Sequence, residues 1–323
     1  MTKSKKKHFL VTGGLGFIGS NIVKLLIRNG YNVTVFDNSS RGKIKKLGIF
    51  KSKVKIISGD IKNFKSISRA FKNIDAVIHL AYINGTKYFY SKPTEVLDVA
   101  VKGIVNILDL SIKKKIKEIY LASSSEVYQT PTITPTSEKE MLKVPDVYNP
   151  RYSYGTGKIL TEVMGINYGR KYFNKLVIFR PHNVYGPDMG EEHVIPELIF
   201  KTVKTRNNHI VLKGTGKEIR SFIYIDDFIG AFNYLLTKGK HLEVYNIGTN
   251  EAINIKKLAK IISSILSKNC KIKNSPIPVG GTKIRNPSIQ KIKKLGFKPK
   301  ISLKEGLKKT INFYIKNLKN KGV

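Results

Sequence analysis

A tyrosine and a lysine four residues apart are the first residues of this sequence that suggest catalysis. Tyr154 and Lys158 lie in the segment YGTGK, whose helical pattern puts both side chains on one face. The lysine ammonium can lower the pKa of a neighbouring phenol, so that the phenol can act as a general base near neutral pH. Because the chain has 16 tyrosines, this spacing also arises by chance, and the interpretation needs support from other residues.

A segment rich in hydroxyl groups gives that support. Ser123, Ser124, Ser125 and Glu126 follow the apolar run EIYLA, which has the character of a buried strand. In a parallel sheet the carboxyl end of such a strand opens onto the ligand crevice. There a hydroxyl can hold a substrate oxygen beside the tyrosine, and a carboxylate can accept a proton. The alternative is that the serines cap the strand end and Glu126 is a solvated surface charge.

A glycine-rich turn near the amino terminus predicts a dinucleotide site. The segment TGGLGFIG places Gly13, Gly16 and Gly19 directly after a predicted strand and at the start of a predicted helix. These glycines permit a tight turn, close approach of a pyrophosphate, and close packing of helix on strand. The alternative, a turn with no ligand, is weakened by the carboxylate that ends the next predicted strand.

This acidic residue is Asp37. It comes 18 residues after Gly19, where a carboxylate accepts hydrogen bonds from an adenosine ribose and repels a 2′-phosphate. This favours NAD over NADP, although Arg41 could soften the preference. Asp60 suits an adenine contact, but Gly-Asp is also a common turn. The predicted NAD contacts are Gly13, Gly16, Phe17, Ile18, Gly19, Asp37, Asn38, Asp60, Ile61, Leu80, Ala81, Tyr154 and Lys158.

The elements that must position these residues alternate between strand and helix. Apolar runs such as DAVIHLA have no polar face, as a strand covered by helices on both sides requires. We predict an α/β fold, a Rossmann-type doubly wound parallel sheet with a smaller, interleaved C-terminal substrate-binding domain. Residues 1–180 form the NAD-binding domain, to which some later segments return, and residues 181–323 form mainly the substrate-binding domain. Residues 130–150 are predicted to be a loop over the site, and HIVLKG and RSFIYI to form a strand pair.

Composition bounds the class of protein. The 323 residues carry a formal net charge of +37, from 50 lysines and nine arginines against 22 acidic residues. Nucleic-acid readers favour the planar arginine fork, so this lysine-dominated charge is a weak match to them. A single cysteine, Cys270, argues for a reducing compartment. The start MTKSKKKHFLVTGG has too short an apolar stretch for a signal peptide or membrane span, so we expect a soluble cytoplasmic protein with no membrane partner.

The motifs, taken in order, resemble the extended short-chain dehydrogenases/reductases, in particular the NAD-dependent epimerase/dehydratase group that acts on nucleotide sugars. The motifs are GGLGFIG, DNSSRG, HLA, SSSEVY, YGTGK, RPHNVYGP and RSFIYIDD. The resemblance implies that Tyr154 and Lys158 are the catalytic pair and Ser124 the hydroxyl beside them. It also implies substrate contacts through Ser125, Asn183, Arg220 and Arg285, the last three at the pyrophosphate. A homodimer, formed through a helix bundle that includes the YGTGK helix, is implied as well.

Glu126 is the residue that separates simple 4-epimerases from the other enzymes of this group. Simple 4-epimerases usually lack a carboxylate at this position, whereas Ser124-Ser125-Glu126 is similar to GDP-mannose 4,6-dehydratases and to UDP-glucuronate decarboxylases. Dehydratases of the dTDP-glucose type have Asp where this chain has Ser125. We therefore predict a nucleotide-sugar 4,6-dehydratase with Glu126 as a catalytic residue. Together with YINGTK at residues 82–87 and PDVYNPR at residues 145–151, these motifs resemble the dehydratases of bacterial nonulosonic (legionaminic) acid pathways, which implies GDP-N-acetylglucosamine as substrate. Epimerase and decarboxylase remain alternatives; the latter needs a cation for the substrate carboxylate, and only arginines already assigned to phosphate are evident.

Two other functions fit parts of the sequence. A dinucleotide-sensing regulator that binds nucleic acid would explain the charge, but such sensors typically lose the catalytic tyrosine or lysine, and no basic motif interleaved with aromatics is present. His193 with Glu191 and Glu192 suggests a metal site, but adjacent residues point apart in most backbones. We predict an enzyme with no metal and no nucleic-acid partner.

Overall fold

Short parallel strands form the centre of the protein, in a computed structural model that describes residues 6–276 and 280–319. The strands, in chain order, are β1 His8–Thr12, β2 Asn32–Asp37, β3 Lys55–Ser58, β4 Ala76–His79, β5 Glu118–Ala122, β6 Lys175–Pro181, β7 Val184–Tyr185, β8 His209–Val211, β9 Ile219–Ser221, β10 Ile223–Tyr224, β11 Glu243–Ile247, β12 Ala252–Asn254, β13 Lys271–Lys273 and β14 Ile284–Arg285. Seven of them form one parallel sheet in the order β11, β6, β5, β4, β1, β2, β3. This is the Rossmann order with one added edge strand, so the predicted fold class is confirmed.

Helices cover both faces of this sheet. They are α1 Phe17–Arg28, α2 Phe64–Ser68, α3 Thr86–Ser91, α4 Pro93–Lys113, α5 Ser153–Tyr172, α6 Val194–Lys204, α7 Ile225–Lys238, α8 Ile255–Ile265, α9 Gln290–Lys293 and α10 Leu303–Lys319. Short 3-10 segments span Ile44–Lys53, Arg69–Phe71, Ser125–Tyr128 and Pro150–Tyr152. Crossing a membrane needs a longer apolar stretch than any helix among residues 6–276 and 280–319 provides.

The alternation of side chains along β1 explains why its sequence is apolar throughout. Phe9 and Val11 belong to the larger hydrophobic core on one face of the sheet, and Leu10 belongs to a second core on the other face. All three side chains are at most 1% exposed. The continuous apolar runs therefore mark strands buried on both sides, as predicted.

The remaining strands form small sheets beside the main one. β7 pairs with β10, β8 with β13, and β9 with both β12 and β14. The predicted strand pair between HIVLKG and RSFIYI is therefore wrong, because each of these segments pairs with a segment from elsewhere in the chain. Residues 130–150 form a loop, as predicted, with a bridge between Thr136 and Pro287. The predicted position of this loop over the site is wrong, because none of these residues lines the cavity at the edge of the sheet. β11 lies beyond residue 180 and completes the edge of the main sheet, whereas the division of domains at that residue remains a prediction.

The order of the strands reverses beside β1. The chain runs from β1 to β2 and β3 on one side, then crosses over to β4 on the other. Loops leaving β1 and β4 in opposite directions leave a crevice at their carboxyl ends, which is where open α/β sheets bind ligands. The fold thus brings the glycine-rich turn, which follows β1, and the serine segment, which follows β5, to one edge of the sheet.

Candidate active site

A cavity of about 970 Å³ opens at this edge. It is lined by every residue that the sequence predicted for cofactor, catalysis or substrate. These are Gly13, Gly16, Phe17, Ile18, Gly19, Asp37, Asn38, Asp60, Ile61, Leu80, Ala81, Ser124, Ser125, Glu126, Tyr154, Lys158, Asn183, Arg220 and Arg285. The structure therefore brings together residues from both halves of the chain around one space large enough for a dinucleotide and a second ligand.

The turn after β1 leaves no room for side chains. Gly13 has a φ of 71°, and a Cβ atom built on it would lie 2.8 Å from the backbone nitrogen of Ala81. A Cβ on Gly19 would lie 2.1 Å from the carbonyl oxygen of Gly13. The amino end of α1 begins at Phe17, so its free amide groups face the cavity, as anion binding requires. These residues fit the pyrophosphate of a dinucleotide.

Asp37 closes the other end of the turn. Its carboxylate accepts the backbone N–H of Leu15 at 3.0 Å and of Ser39 at 2.8 Å, which holds it at the cavity wall. Arg41 donates instead to the carbonyl of Asn84 and to Glu192, and its guanidinium stacks over the ring of Tyr88. Because Arg41 is bound to those partners, it does not neutralise the Asp37 carboxylate at the predicted ribose position. The unneutralised carboxylate favours NAD over NADP.

Replacing Asp37 by Asn is expected to weaken NAD binding about tenfold and to reduce the preference for NAD over NADP, because a charged acceptor is lost and a 2′-phosphate is no longer repelled. Titration calorimetry with both dinucleotides measures the ratio of affinities. Asp75→Asn is the matched control, since the Asp75 carboxylate accepts the backbone N–H of His8 at 2.8 Å and lies outside the cavity. An unchanged NAD to NADP ratio in the Asp37 variant would contradict this role.

The predicted catalytic residues meet at the carboxyl end of β5. Tyr154 and Lys158 are 5% and 3% exposed, and both lie on the first turns of α5. The Ser124 hydroxyl hydrogen-bonds to the Tyr154 phenol and also accepts the backbone N–H of Glu126 at 3.1 Å. The Lys158 ammonium donates to the carbonyl of Ala122 at 2.7 Å. The hydroxyl, the phenol and the ammonium therefore share one end of the cavity.

Burial governs the ionisation of the tyrosine and the lysine. It raises the pKa of Tyr154 above its ordinary value, and the hydrogen bond from Ser124 only partly opposes this. It lowers the pKa of Lys158 to about 7, against the attraction of Glu162. The ammonium lies 5.9 Å from the centre of the Tyr154 ring. Proximity of the two groups is as predicted, but desolvation outweighs the expected lowering of the pKa of the phenol.

Glu126 is surrounded by arginine side chains at the same end of the cavity. Both of its carboxylate oxygens accept hydrogen bonds from Arg285, and an Arg151 nitrogen lies 3.9 Å away. Burial alone would raise the pKa of Glu126, but the charges of Arg285 and Arg151 hold it below the ordinary value. The side chain is 16% exposed and faces the cavity. It is thus an ionised carboxylate, able to receive a proton.

The predicted substrate residues flank this carboxylate. Arg220 donates to the carbonyls of Ile219 and Thr282, both at 2.8 Å. Burial and the charge of Arg285 lower the pKa of Arg220 to about 9. Asn183 donates to the carbonyl of Ser221 at 2.8 Å. Several cationic groups thus surround a single carboxylate, an arrangement suited to a substrate with more than one negative charge.

Two residues of the site were not predicted from the sequence. Arg151 is 8% exposed and its Nε atom is buried without a hydrogen-bond partner. Its position in the NPR turn before α5, where Asn149 caps its backbone N–H, was the only available signal. Tyr82 follows β4 and packs edge-on against Tyr154, with ring centres 5.1 Å apart. The only signal in the sequence was that Tyr82 follows HLA, where the family often has a second alanine.

The segment around His193 lines the same cavity. Glu192 pairs with Arg41, and burial lowers the pKa of His193. No group of three or more His, Cys, Asp or Glu side chains suited to a metal ion occurs among residues 6–276 and 280–319.

Comparison with known proteins places this site in a family context. Residues 9–248 match the family model described as the NAD dependent epimerase/dehydratase family. This confirms the resemblance that the motifs indicated.

Three relatives represent three different reactions. The chain is 32% identical to a UDP-N-acetyl-alpha-D-glucosaminuronate decarboxylase of Bacillus cytotoxicus, over 96% of this chain and 98% of the relative. It is 31% identical to a dTDP-D-glucose 4,6-dehydratase of Mus musculus, over 97% and 90%. The crystal structure of a UDP-glucose 4-epimerase with UDP-glucose from Thermotoga maritima is 30% identical, with a TM-score of 0.87 over 96% of this chain and 99% of that one. Overall similarity therefore does not single out one of the three reactions.

Proposed function

Because the chain belongs to the NAD-dependent epimerase/dehydratase family of nucleotide-sugar enzymes, we propose that it is an NAD-dependent nucleotide-sugar 4,6-dehydratase, with GDP-N-acetylglucosamine as substrate. The observation that carries this proposal is Glu126, an ionised carboxylate at the same end of the cavity as Ser124 and Tyr154. A 4-epimerase has no need of such a group, because it only removes and returns hydrogen at C4. The choice of sugar and base rests on the sequence resemblance.

The first half of the reaction uses the residues of α5 and β5. Tyr154 takes the proton of the C4 hydroxyl, and Ser124 hydrogen-bonds to the oxygen as it becomes a ketone. The glycine turn and Asp37 would hold NAD, which when bound would accept the C4 hydrogen as hydride. Lys158, fixed on the Ala122 carbonyl, keeps a positive charge beside the Tyr154 phenolate that accepts the C4 hydroxyl proton. The result is a 4-keto sugar.

The second half uses Glu126. The 4-ketone acidifies the hydrogen at C5, so that the carboxylate can remove it as a proton. The C6 hydroxyl then takes up a proton and leaves as water. Because Ser125 stands where the dTDP-glucose enzymes have an acid, this proton comes from Glu126 or from a solvent molecule. Return of the hydride at C6 and of a proton at C5 gives a 4-keto-6-deoxy sugar. The net change is the loss of one water, with no change in the cofactor.

A decarboxylase is the second candidate, and one observation favours it. Arg151 is a buried cation beside Glu126 that the pyrophosphate assignment does not use. It meets the requirement for a cation near the carboxylate of a uronic acid, for which the sequence offered only arginines assigned to phosphate. The same C4 oxidation would then be followed by loss of carbon dioxide from C5.

One assay separates these reactions. The purified protein is incubated with GDP-N-acetylglucosamine, GDP-mannose, UDP-N-acetylglucosamine, UDP-glucuronate and UDP-N-acetylglucosaminuronate, and the products are followed by NMR. A 4-keto-6-deoxy product from GDP-N-acetylglucosamine, without added cofactor, is the expected result. Carbon dioxide release from a uronate, or a C4 epimer with C6 intact, would overturn the dehydratase proposal in favour of the corresponding alternative.

We also propose that the protein acts as a cytoplasmic homodimer that binds nucleotide sugars and neither nucleic acid nor membrane. The exposed apolar residues Leu97 and Val101 on α4 and Val163 on α5 support contact through these helices. Sedimentation equilibrium measures the mass in solution. A monomer at micromolar concentration would contradict the dimer, and salt-dependent retention of RNA or DNA would contradict the absence of a nucleic-acid partner.

A further inference from the structure

Tyr82 occupies an unusual place beside the proposed catalytic pair. It follows β4, and its ring face lies under the Lys158 ammonium, with the nitrogen 3.8 Å from the ring centre. The corresponding distance to the Tyr154 ring is 5.9 Å. The Tyr82 and Tyr154 rings meet at 82°, with centres 5.1 Å apart. One side chain thus contacts both members of the pair.

The hydroxyl of Tyr82 is not used for hydrogen bonding. Its oxygen is buried and has no partner among the described residues. A Cβ atom at Gly157 would lie 2.0 Å from that oxygen and 2.6 Å from the Cβ of Ala100. The glycine before Lys158 therefore makes the room that the Tyr82 ring requires. Since a buried donor without a partner is unfavourable, the contribution of Tyr82 must come from its ring.

The ring faces a charge that burial disfavours. The Lys158 ammonium donates to the Ala122 carbonyl and lies near the two tyrosine rings. Its charge also interacts with the Glu162 carboxylate and the His79 imidazole. Burial lowers the pKa of Lys158, and Glu162 opposes this. The negative face of an aromatic ring also favours the ammonium form, more strongly when the pair is desolvated.

We propose that Tyr82 is a positioning residue whose aromatic ring holds the Lys158 ammonium on the Ala122 carbonyl and supports the edge of Tyr154. This inference rests on the proposed catalytic roles of Tyr154 and Lys158. The ring, rather than the hydroxyl, is the acting group. Without it the ammonium form of Lys158 is less stable, so the lysine loses its charge at a lower pH.

The test is the pKa of Lys158 itself, measured by NMR of the side-chain carbons in lysine-labelled protein without substrate. The Lys158→Met variant assigns the signal. Tyr82→Leu is expected to lower the pKa of Lys158 by about one unit, the value of a buried cation–π contact. Tyr82→Phe keeps the ring and is expected to shift it by less than about 0.3 units on the same scale. Phe89→Leu is the matched control, because Phe89 stacks on Tyr154, with ring centres 4.7 Å apart. It removes a ring beside Tyr154 rather than the ring under the ammonium, so the pKa of Lys158 should stay unchanged.

The pH dependence of hydride transfer is expected to separate the same three variants. Only Tyr82→Leu should move the alkaline limb of the profile to lower pH. If Tyr82→Leu does not fold, Tyr82→Met gives a flexible side chain without a ring. An unshifted lysine in the ringless variant, or an equal shift in Tyr82→Phe, would overturn the inference. Because the titration needs no sugar, the absence of any dehydration product would count against the proposed function alone.

Discussion

Replacing Glu126 by Gln is expected to reduce formation of the 4-keto-6-deoxy product by about 10²–10⁴-fold, while the first oxidation of the sugar still occurs. The amide is close in shape and can still accept a hydrogen bond from Arg285, but it cannot take the proton from C5. The reaction should therefore stop at the 4-keto sugar. Reduced nicotinamide would then accumulate on the protein instead of being consumed.

Rapid mixing of the variant with substrate, followed by the absorbance of reduced nicotinamide, measures this directly. Exchange of deuterium into C5 gives a second readout, because it needs the proton transfer but not the loss of water. Glu140→Gln is the control, since the Glu140 carboxylate caps Thr132 in the loop before α5 and lies outside the cavity. Full turnover in the Glu126 variant would show that another group removes the C5 proton. Loss of nicotinamide reduction as well would instead assign Glu126 to substrate binding.

The cofactor end was predictable because its determinants are local. The glycine turn and the first helix are neighbours in sequence, and Asp37 ends the next strand. The conformations required at Gly13 and Gly19 follow from close backbone contacts that only glycine allows. The apolar runs of the strands likewise reported their burial on both sides of the sheet.

The arginines around Glu126 were only partly predictable, because the contacts are made by distant parts of the chain. Arg285 and Glu126 are 159 residues apart, and Arg151 reaches the same carboxylate from the turn before α5. A motif assigns a residue to the cavity, as it did for Arg285, but not to a partner within it. The arginine pair with Glu126 therefore appeared only with the fold.

The ionisation of the catalytic pair depends on burial, which spacing does not report. A Tyr and a Lys one helical turn apart indicate proximity of charge and phenol. Desolvation by burial is the larger influence on the pKa of Lys158 and on that of Tyr154. The predicted pairing of two short strands was also wrong. The actual partners of β8 and β9 come from segments far along the chain, which local sequence patterns do not indicate.

Replacing Tyr154 by Phe is expected to reduce turnover by about 10²–10⁴-fold and, unlike the Glu126 change, to prevent reduction of the nicotinamide. The phenylalanine ring keeps the stacking on Phe89 and the edge contact with Tyr82, so the fold and the position of Lys158 should remain. Only the oxygen that, as phenolate, accepts the C4 hydroxyl proton is lost. Without this acceptor the C4 alcohol cannot become a ketone, and every later step is blocked.

The comparison of Tyr154→Phe with Glu126→Gln separates oxidation from elimination. Tyr152→Phe is the control, because Tyr152 is a buried tyrosine two residues earlier in the chain. NAD affinity and thermal unfolding are measured alongside, so that loss of cofactor or fold is not mistaken for loss of the base. If Tyr154→Phe still reduced its nicotinamide on mixing with substrate, the C4 proton would have to leave through another group. The Ser124 hydroxyl, hydrogen-bonded to the phenol, would then be the group to replace, because it shares that end of the cavity with Tyr154.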